Sequence, residues 1–167
     1  MNSSRSILVI AVALLSLQAC GFHLQGRAEY SPELEAIYLQ APDDTTPLAR
    51  ELRRSLEVAR VNVADNTEAA TAVLQILSDQ TGRDVESVDA QNRPREYRVY
   101  YRATYRVVSD GKVLLDNQRV IRTRVYSYDE LEVLAKAHEE ELLRTALARE
   151  IAGVITRRLS KIDVPVS

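Results

Sequence analysis

Between Tyr97 and Val108 the chain alternates without a break. Tyr97, Val99, Tyr101, Ala103, Tyr105 and Val107 share one parity, and Arg98, Tyr100, Arg102, Thr104 and Arg106 share the other. A period of two, rich in aromatic and β-branched residues, fits a strand with one buried face. It rejects a helix, whose apolar positions recur every three or four residues. Asp110-Gly111 follows at once, a pair suited to a two-residue hairpin turn, and a second strand is expected from Lys112 to about Tyr126. Such a chain builds an antiparallel sheet, and something must cover its apolar face.

The register of that hairpin sets up a conflict. A tight turn pairs Ser109 with Lys112, opposes Tyr101 to Val120 and Val99 to Arg122, and drives Arg122 and Arg124 onto the apolar face. One extra residue in the second strand, near positions 116–118, removes the conflict. It pairs Tyr101 with Ile121 and Val99 with Thr123, and gathers Arg98, Tyr100, Arg102, Arg122 and Arg124 on the other face. A slip of one residue turns every following side chain over, so a bulge is expected there.

The covering elements are legible on either side. Residues 36–40 (Ala-Ile-Tyr-Leu-Gln) read as a short strand closed by Ala41-Pro42-Asp43-Asp44. Pro47 at a first helical position makes Thr46 the N-cap. Leu48, Leu52, Leu56 and Ala59 then form one stripe of an amphipathic helix of about 14 residues. Residues 71–79 are a strand whose pattern allows continuation through Gly82 to Val88, and residues 90–95 form a polar loop. Ser127 and Glu130 are spaced as a capping box. Leu131, Leu134, Ala135, His138, Leu142, Ala146, Ile151, Val154, Ile155 and Leu159 follow at helical spacing, a helix of about 30 residues, or ~45 Å. The expected fold class is α+β: two helices packed on one face of a mainly antiparallel four-stranded sheet, in the order β-α-β-β-β-α.

The N-terminus carries a different signal. Residues 7–17 are almost wholly apolar after a start that bears Arg5. Eleven helical residues reach only ~16 Å, about half a bilayer core, which describes a secretory signal and not a membrane span. The run exits at Leu17-Gln18-Ala19-Cys20, which is similar to the bacterial lipobox, and Cys20 is the chain's only cysteine. The expected organisation is a lipoprotein signal peptide (1–19), a lipidated tether (20–34), one α+β domain (35–162) and a short tail (163–167). Diacylglycerol and an acyl chain are expected on Cys20. The alternative is plain cleavage that leaves an odd cysteine. Gly21, and not Asp, follows Cys20, which by the bacterial sorting rule favours the outer membrane.

The inventory for chemistry is thin. One cysteine excludes an internal disulfide and a cysteine-based zinc cluster. There is no G-x-S-x-G, P-loop or H-E-x-x-H motif, so neither an enzyme nor a cofactor is expected. His138 reads as a core-edge histidine and His23 as part of the tether. Glu139-Glu140-Glu141 reads as a solvated helix face, with Lys136 in reach of Glu140 at i,i+4. A net charge of −2, from 22 basic and 24 acidic residues, excludes a dedicated nucleic-acid binder. What stands out is local. Arg93, Arg95, Arg98, Arg102 and Arg106 crowd one loop and strand, and Arg119, Arg122 and Arg124 follow on the next. Guanidinium forks take phosphate and carboxylate bidentately, so this surface suits an anionic headgroup or an acidic protein wall. A solvated face paired with Asp and Glu explains it equally.

Cys20-Gly21-Phe22-His23-Leu24 resembles the opening of the LPS-assembly lipoproteins of the LptE (RlpB) family. The likeness continues through Leu48-Ala49-Arg50, Glu96-Tyr97, Arg119-Val120-Ile121-Arg122 and Leu134-Ala135-Lys136, in order. The resemblance implies a lipid-anchored protein of the cell outer membrane, on the periplasmic side and largely inside its partner, the LptD β-barrel. It would assist assembly of that barrel and help deliver lipopolysaccharide, which it would bind through basic side chains. Lys136 matches one basic position of the family. The other falls by count on Ala90, which is no cation, but Arg93 and Arg95 lie in the same loop. The candidate lipopolysaccharide contacts are thus Arg93, Arg95, Lys136, Arg98, Arg122 and Arg124. Other classes consistent with the residues are a structural plug of a barrel that never touches lipid, and an unrelated lipoprotein that binds cell-wall glycan.

Overall fold

The computed structural model describes residues 30–162. Cys20, His23, the signal peptide and the tail lie outside the described residues. The elements are β1 (Ala36–Gln40), α1 (Pro47–Val58), β2 (Asn62–Ala64), β3 (Ala72–Val88), β4 (Pro94–Ser109), β5 (Lys112–Ser127) and α2 (Val133–Leu159). They form one five-stranded sheet in the order β2-β1-β3-β4-β5. β1 pairs in parallel with both β2 and β3, and β3, β4 and β5 run antiparallel. The α+β class with two helices stands. The expected four-stranded, mainly antiparallel sheet is corrected to five strands with a parallel edge, because the three residues of β2 are too few to announce themselves by alternation.

One core joins the sheet to both helices. Val99, Tyr101, Ala103, Tyr105 and Val107 of β4 are buried with Leu48, Leu52 and Leu56 of α1 and with Leu147, Ile151, Ile155 and Leu159 of α2. Each buried leucine or isoleucine contributes ~1.5–3 kcal/mol relative to exposure. The Thr46 hydroxyl accepts from the Ala49 amide at 3.2 Å and caps α1. At the other end Arg60 takes a left-handed φ of 61°. Its amide and that of Val61 turn back to the Glu57 and Leu56 carbonyls, a Schellman closure built without glycine. Of the expected tether, 20–34, only residues 30–34 are described, and they pack on the domain. Leu34 is fully buried in the core, and the Tyr30 hydroxyl donates to the Thr156 carbonyl of α2 at 3.3 Å.

The β4–β5 ladder slips twice, not once. Val108 opposes Val113, Val107 opposes Leu115, and Tyr105 opposes Gln118. The second slip falls near 116–118, as expected; the first, at Leu114, was not. Two inserted residues cancel in phase. Tyr101 therefore opposes Arg122, and Val99 opposes Arg124. The expected pairings with Ile121 and Thr123 do not form. Opposed residues point to the same side of a sheet, so Arg122 and Arg124 lie on the helix side. The opposite side carries Arg98, Tyr100, Arg102, Thr104 and Arg106, and no other element among the described residues covers it.

The long helix departs from its reading at its start. Ser127 ends β5; a 3₁₀ turn at Glu130–Glu132 is capped by Asp129, whose carboxylate accepts from the Leu131 amide at 2.9 Å. No capping box forms from Ser127. Beyond that turn α2 is inside out in its first half. Leu131, Leu134 and Leu142 are 93%, 87% and 58% exposed, with His138 beside them in solvent. Lys136 and Glu140, about half a turn round, face the sheet. Leu143 packs partly against the core, and from Leu147 onward the inward apolar stripe is fully buried.

Candidate functional site

The basic residues singled out by the sequence fall in three places. Arg93, Arg95 and Lys136 gather at one end of the molecule, where the β3–β4 turn meets the start of α2. Arg98 lies on the uncovered face of the sheet, bonded to Glu86 of β3. Arg122 and Arg124 lie on the helix side, both paired with Glu150 of α2. Burying their stems against α2 is tolerable only because that carboxylate meets them, which answers the register conflict posed by the sequence. The grouping of Arg122 and Arg124 with Arg98 and Arg102 is therefore corrected.

At the end of the molecule two clefts adjoin. One, of about 260 Å³, is lined by Asp89, Arg93, Pro94, Arg95, Tyr128, Asp129, Glu130 and Leu131. The other, of about 560 Å³, is lined by Ser87, Arg95, Glu96, Ser127, Tyr128, Asp129, Glu132 and Lys136. Arg95 and Tyr128 form the shared wall. Asp89 organises the turn: its Oδ1 accepts from the amides of Gln91 and Arg93, each at 2.9 Å, and its Oδ2 accepts from the Arg93 Nε at 3.0 Å. Asn92 completes the turn with a φ of 60°, a conformation asparagine tolerates. The Arg93 backbone bond leads the set that holds the Asp89 carboxyl below its usual range, against a smaller effect of burial. Asp-x-x-x-Arg at a hairpin tip is the signal that would have placed Asp89 in the site.

The charges here are mixed. Asp89 also reaches Arg95 at 3.6 Å, and Lys136 pairs with Glu139 at 3.0 Å, not with Glu140. Carboxylates thus aim the three cations. Arg93 and Arg95 remain more than half exposed, so each guanidinium keeps N–H donors for an incoming anion. Lys136 is half-sunk, with its side chain 16% exposed.

Beneath the site, Glu140 anchors the first half of α2 to the sheet. Its carboxylate accepts from Arg83 of β3 at 2.6 Å, from the Tyr126 hydroxyl at 2.9 Å and from Arg144 one turn on. Glu140 is therefore not the solvated side chain that its run of three acids implied. Burial pushes its carboxyl up, but the Tyr126, Arg144 and Arg83 bonds together hold it below the usual range. The Arg83 guanidinium lies 4.4 Å from the Tyr97 ring centre, and Tyr97 in turn stacks on Tyr126 and meets Tyr128 edge-on. A cation over a π-face and three interlocked rings fix the wall that Tyr128 presents to both clefts.

Comparisons with known proteins agree on one group. A family model described as LptE, lipopolysaccharide-assembly, matches residues 34–159. The LPS-assembly lipoprotein LptE of Photorhabdus laumondii is 28% identical over 153 residues, covering 91% of this chain and 83% of that protein. Its namesake from Pectobacterium atrosepticum is 27% identical over 157 residues, with 93% and 85% covered. Among solved structures, lipoprotein B from Nitrosomonas europaea superposes with a TM-score of 0.70 at 27% identity, covering 84% of this chain and 90% of that one. Rare lipoprotein B from Shewanella oneidensis gives a TM-score of 0.66 at 25% identity, covering 75% and 94%.

Proposed function

Because the chain belongs to the LptE lipopolysaccharide-assembly family, we propose that it is an outer-membrane lipoprotein that works in lipopolysaccharide assembly by binding and not by catalysis. In this reading Cys20 carries the acyl anchor. The folded domain seats in the LptD β-barrel, assists its assembly, and meets lipopolysaccharide at the end of the molecule that carries Arg93, Arg95 and Lys136.

The observation that carries the reading is the convergence of those three cations on two adjoining clefts. They come from a turn and a helix start that lie about forty residues apart in the chain. Lipid A phosphates are polyanionic and bridged by divalent cations. An exposed guanidinium fork offers a phosphate two parallel N–H donors and replaces a bridging metal. Asp89 restrains the Arg93 and Arg95 guanidiniums and Glu139 the Lys136 ammonium, so less side-chain entropy is lost on capture. Arg98 points to the opposite face of the sheet and pairs with Glu86, and Arg122 and Arg124 pair with Glu150; in this reading they serve the fold or another surface.

A second role is favoured by one specific feature. Leu131, Leu134 and Leu142 expose large apolar side chains beside the clefts. That stripe suits contact with a protein wall, which fits the plug reading alongside lipid capture.

The test combines three measurements. Mass spectrometry of the mature N-terminus reads acylation of Cys20, and purification from detergent-solubilised outer membrane reads the barrel partner. Charge reversal of Arg93, Arg95 and Lys136 together should weaken salt-dependent capture of lipopolysaccharide while the circular dichroism melt stays nearly unchanged. Unaltered capture by that triple variant refutes the lipid-binding part of the reading.

A further inference from the structure

A second cationic cleft opens on the flank of α2, well away from the first. It has a volume of about 290 Å³ and is lined by Arg122, Arg149, Glu150, Gly153, Val154 and Arg157. The double slip of the β4–β5 ladder brings Arg122 here, with Arg124 beside it. Three of these four guanidiniums share two carboxylates. Glu150 meets Arg124 closely and Arg122 at 3.8 Å, and Glu51 of α1 meets Arg149 at 3.2 Å. Arg157 has no carboxylate partner among the described residues. It folds back over Gly153, where an added Cβ would lie 3.3 Å from its Nη1. The cleft is therefore cationic and open, and one of its forks is unengaged.

Its position is as informative as its charge. Lys136 and Arg157 are separated by ~32 Å along the helix axis. At the Arg157 end, the Tyr30 hydroxyl is bonded to the carbonyl of Thr156, the residue before Arg157. Only nine residues lie between Tyr30 and Cys20, a reach of at most ~35 Å. Tyr30, the first described residue after the proposed acyl anchor, is thus held within one helical turn of Arg157. Arg158 adds positive charge in the last turn of α2, and Lys161 just past it.

We propose that this cleft binds the phosphodiester headgroups of anionic phospholipids in the leaflet that holds the acyl anchor. Acyl insertion and a basic patch are then two signals that act on one membrane surface, and the patch sets how the domain stands on that surface. The location rests on acylation of Cys20 as read above; the headgroup chemistry does not.

The experiment uses the full mature chain with Cys20→Ser, so that no acyl chain masks the contact. Co-sedimentation is measured with phosphatidylethanolamine vesicles, with and without phosphatidylglycerol. Binding should require phosphatidylglycerol and fall with salt. Arg122→Glu and Arg157→Glu should each weaken it by about fivefold or more. Arg157→Glu should leave lipopolysaccharide capture unchanged, whereas Arg95→Glu, with the same change in net charge, should leave vesicle binding unchanged. Equal binding to vesicles lacking phosphatidylglycerol overturns the proposal, and so does an Arg95→Glu loss as large as that of Arg157→Glu. Displacement by millimolar inorganic phosphate overturns it as well, since the site would then serve a soluble phosphate. Loss of lipopolysaccharide capture in the triple variant above has no bearing on these outcomes, so the two readings fail separately.

Discussion

Replacing Glu140 with alanine should cost the fold about 3 kcal/mol. The carboxylate is only 10% exposed and accepts three charge-assisted or hydroxyl bonds, from Arg83, Tyr126 and Arg144. The three losses are unequal. Arg83 and Arg144 have side chains 42% and 29% exposed, so water partly replaces the lost carboxylate. The Tyr126 hydroxyl is buried and loses the acceptor for its proton, at ~1–3 kcal/mol. The rest comes from the charge-assisted bonds themselves, at ~1.5 kcal/mol or less each once solvent competes. Glu140→Gln keeps one acceptor for Tyr126 and should cost about half as much. Urea unfolding reads both values. The pH profile is the sharper test. The folded carboxyl titrates below its ordinary value near 4.5. Its contribution is therefore complete above that value and is lost as pH falls through the lowered folded one. Wild type and Glu140→Ala should differ most at neutral pH and converge in strong acid. A loss under about 1 kcal/mol, or a gap that does not narrow with acid, refutes the view that Glu140 clamps α2 to the sheet.

Other expectations are quickly stated. Thr46→Ala should lower stability by ~1 kcal/mol, since the Ala49 amide loses its cap; a denaturant midpoint reads it. Arg60→Gly should raise stability by up to ~1 kcal/mol, because a left-handed residue without a Cβ relieves the strain at that φ. Deleting Asn117 leaves one slip in β5 where there were two. It should expel Val120 and Tyr126 from the core and unfold the domain, seen as loss of dispersion in amide NMR spectra. Leu131→Asp with Leu134→Asp should leave the melt unchanged and reduce recovery of the barrel partner; full recovery removes that stripe from the interface.

What the sequence disclosed and what it hid divide along physical lines. β4 and its hairpin were legible because one face of a strand is written every second residue. α1 was legible because Thr46-Pro47 starts it and Leu48, Leu52 and Leu56 repeat at four. β2 was hidden because three residues hold no period; only pairing with β1 reveals it. The face of Arg122 and Arg124 was misread because the first slip, at Leu114, leaves no local mark, and because their partner Glu150 lies 26 residues beyond Arg124. α2 misled most. Leu131, Leu134 and Leu142 have helical spacing, and spacing says which residues share a side but not whether that side faces the sheet. Arg93, Arg95 and Lys136, singled out in the sequence, line two adjoining clefts. Arg83 was missed, since nothing near it in the chain marks an inward-facing cation until Glu140 is packed above it.

β5 closes the sheet on one side with 16 residues of backbone that, among the described residues, pair only with β4. An open rim of that length invites another strand to add itself, in the manner of fibrils. Lys112, Arg119, Arg122 and Arg124 stud it with like charge, and two cationic rims brought together repel. The arginines therefore act as guards against self-association whatever else they bind. Any variant that neutralises several of them has to be checked for clumping before a lost interaction is credited to a lost ligand.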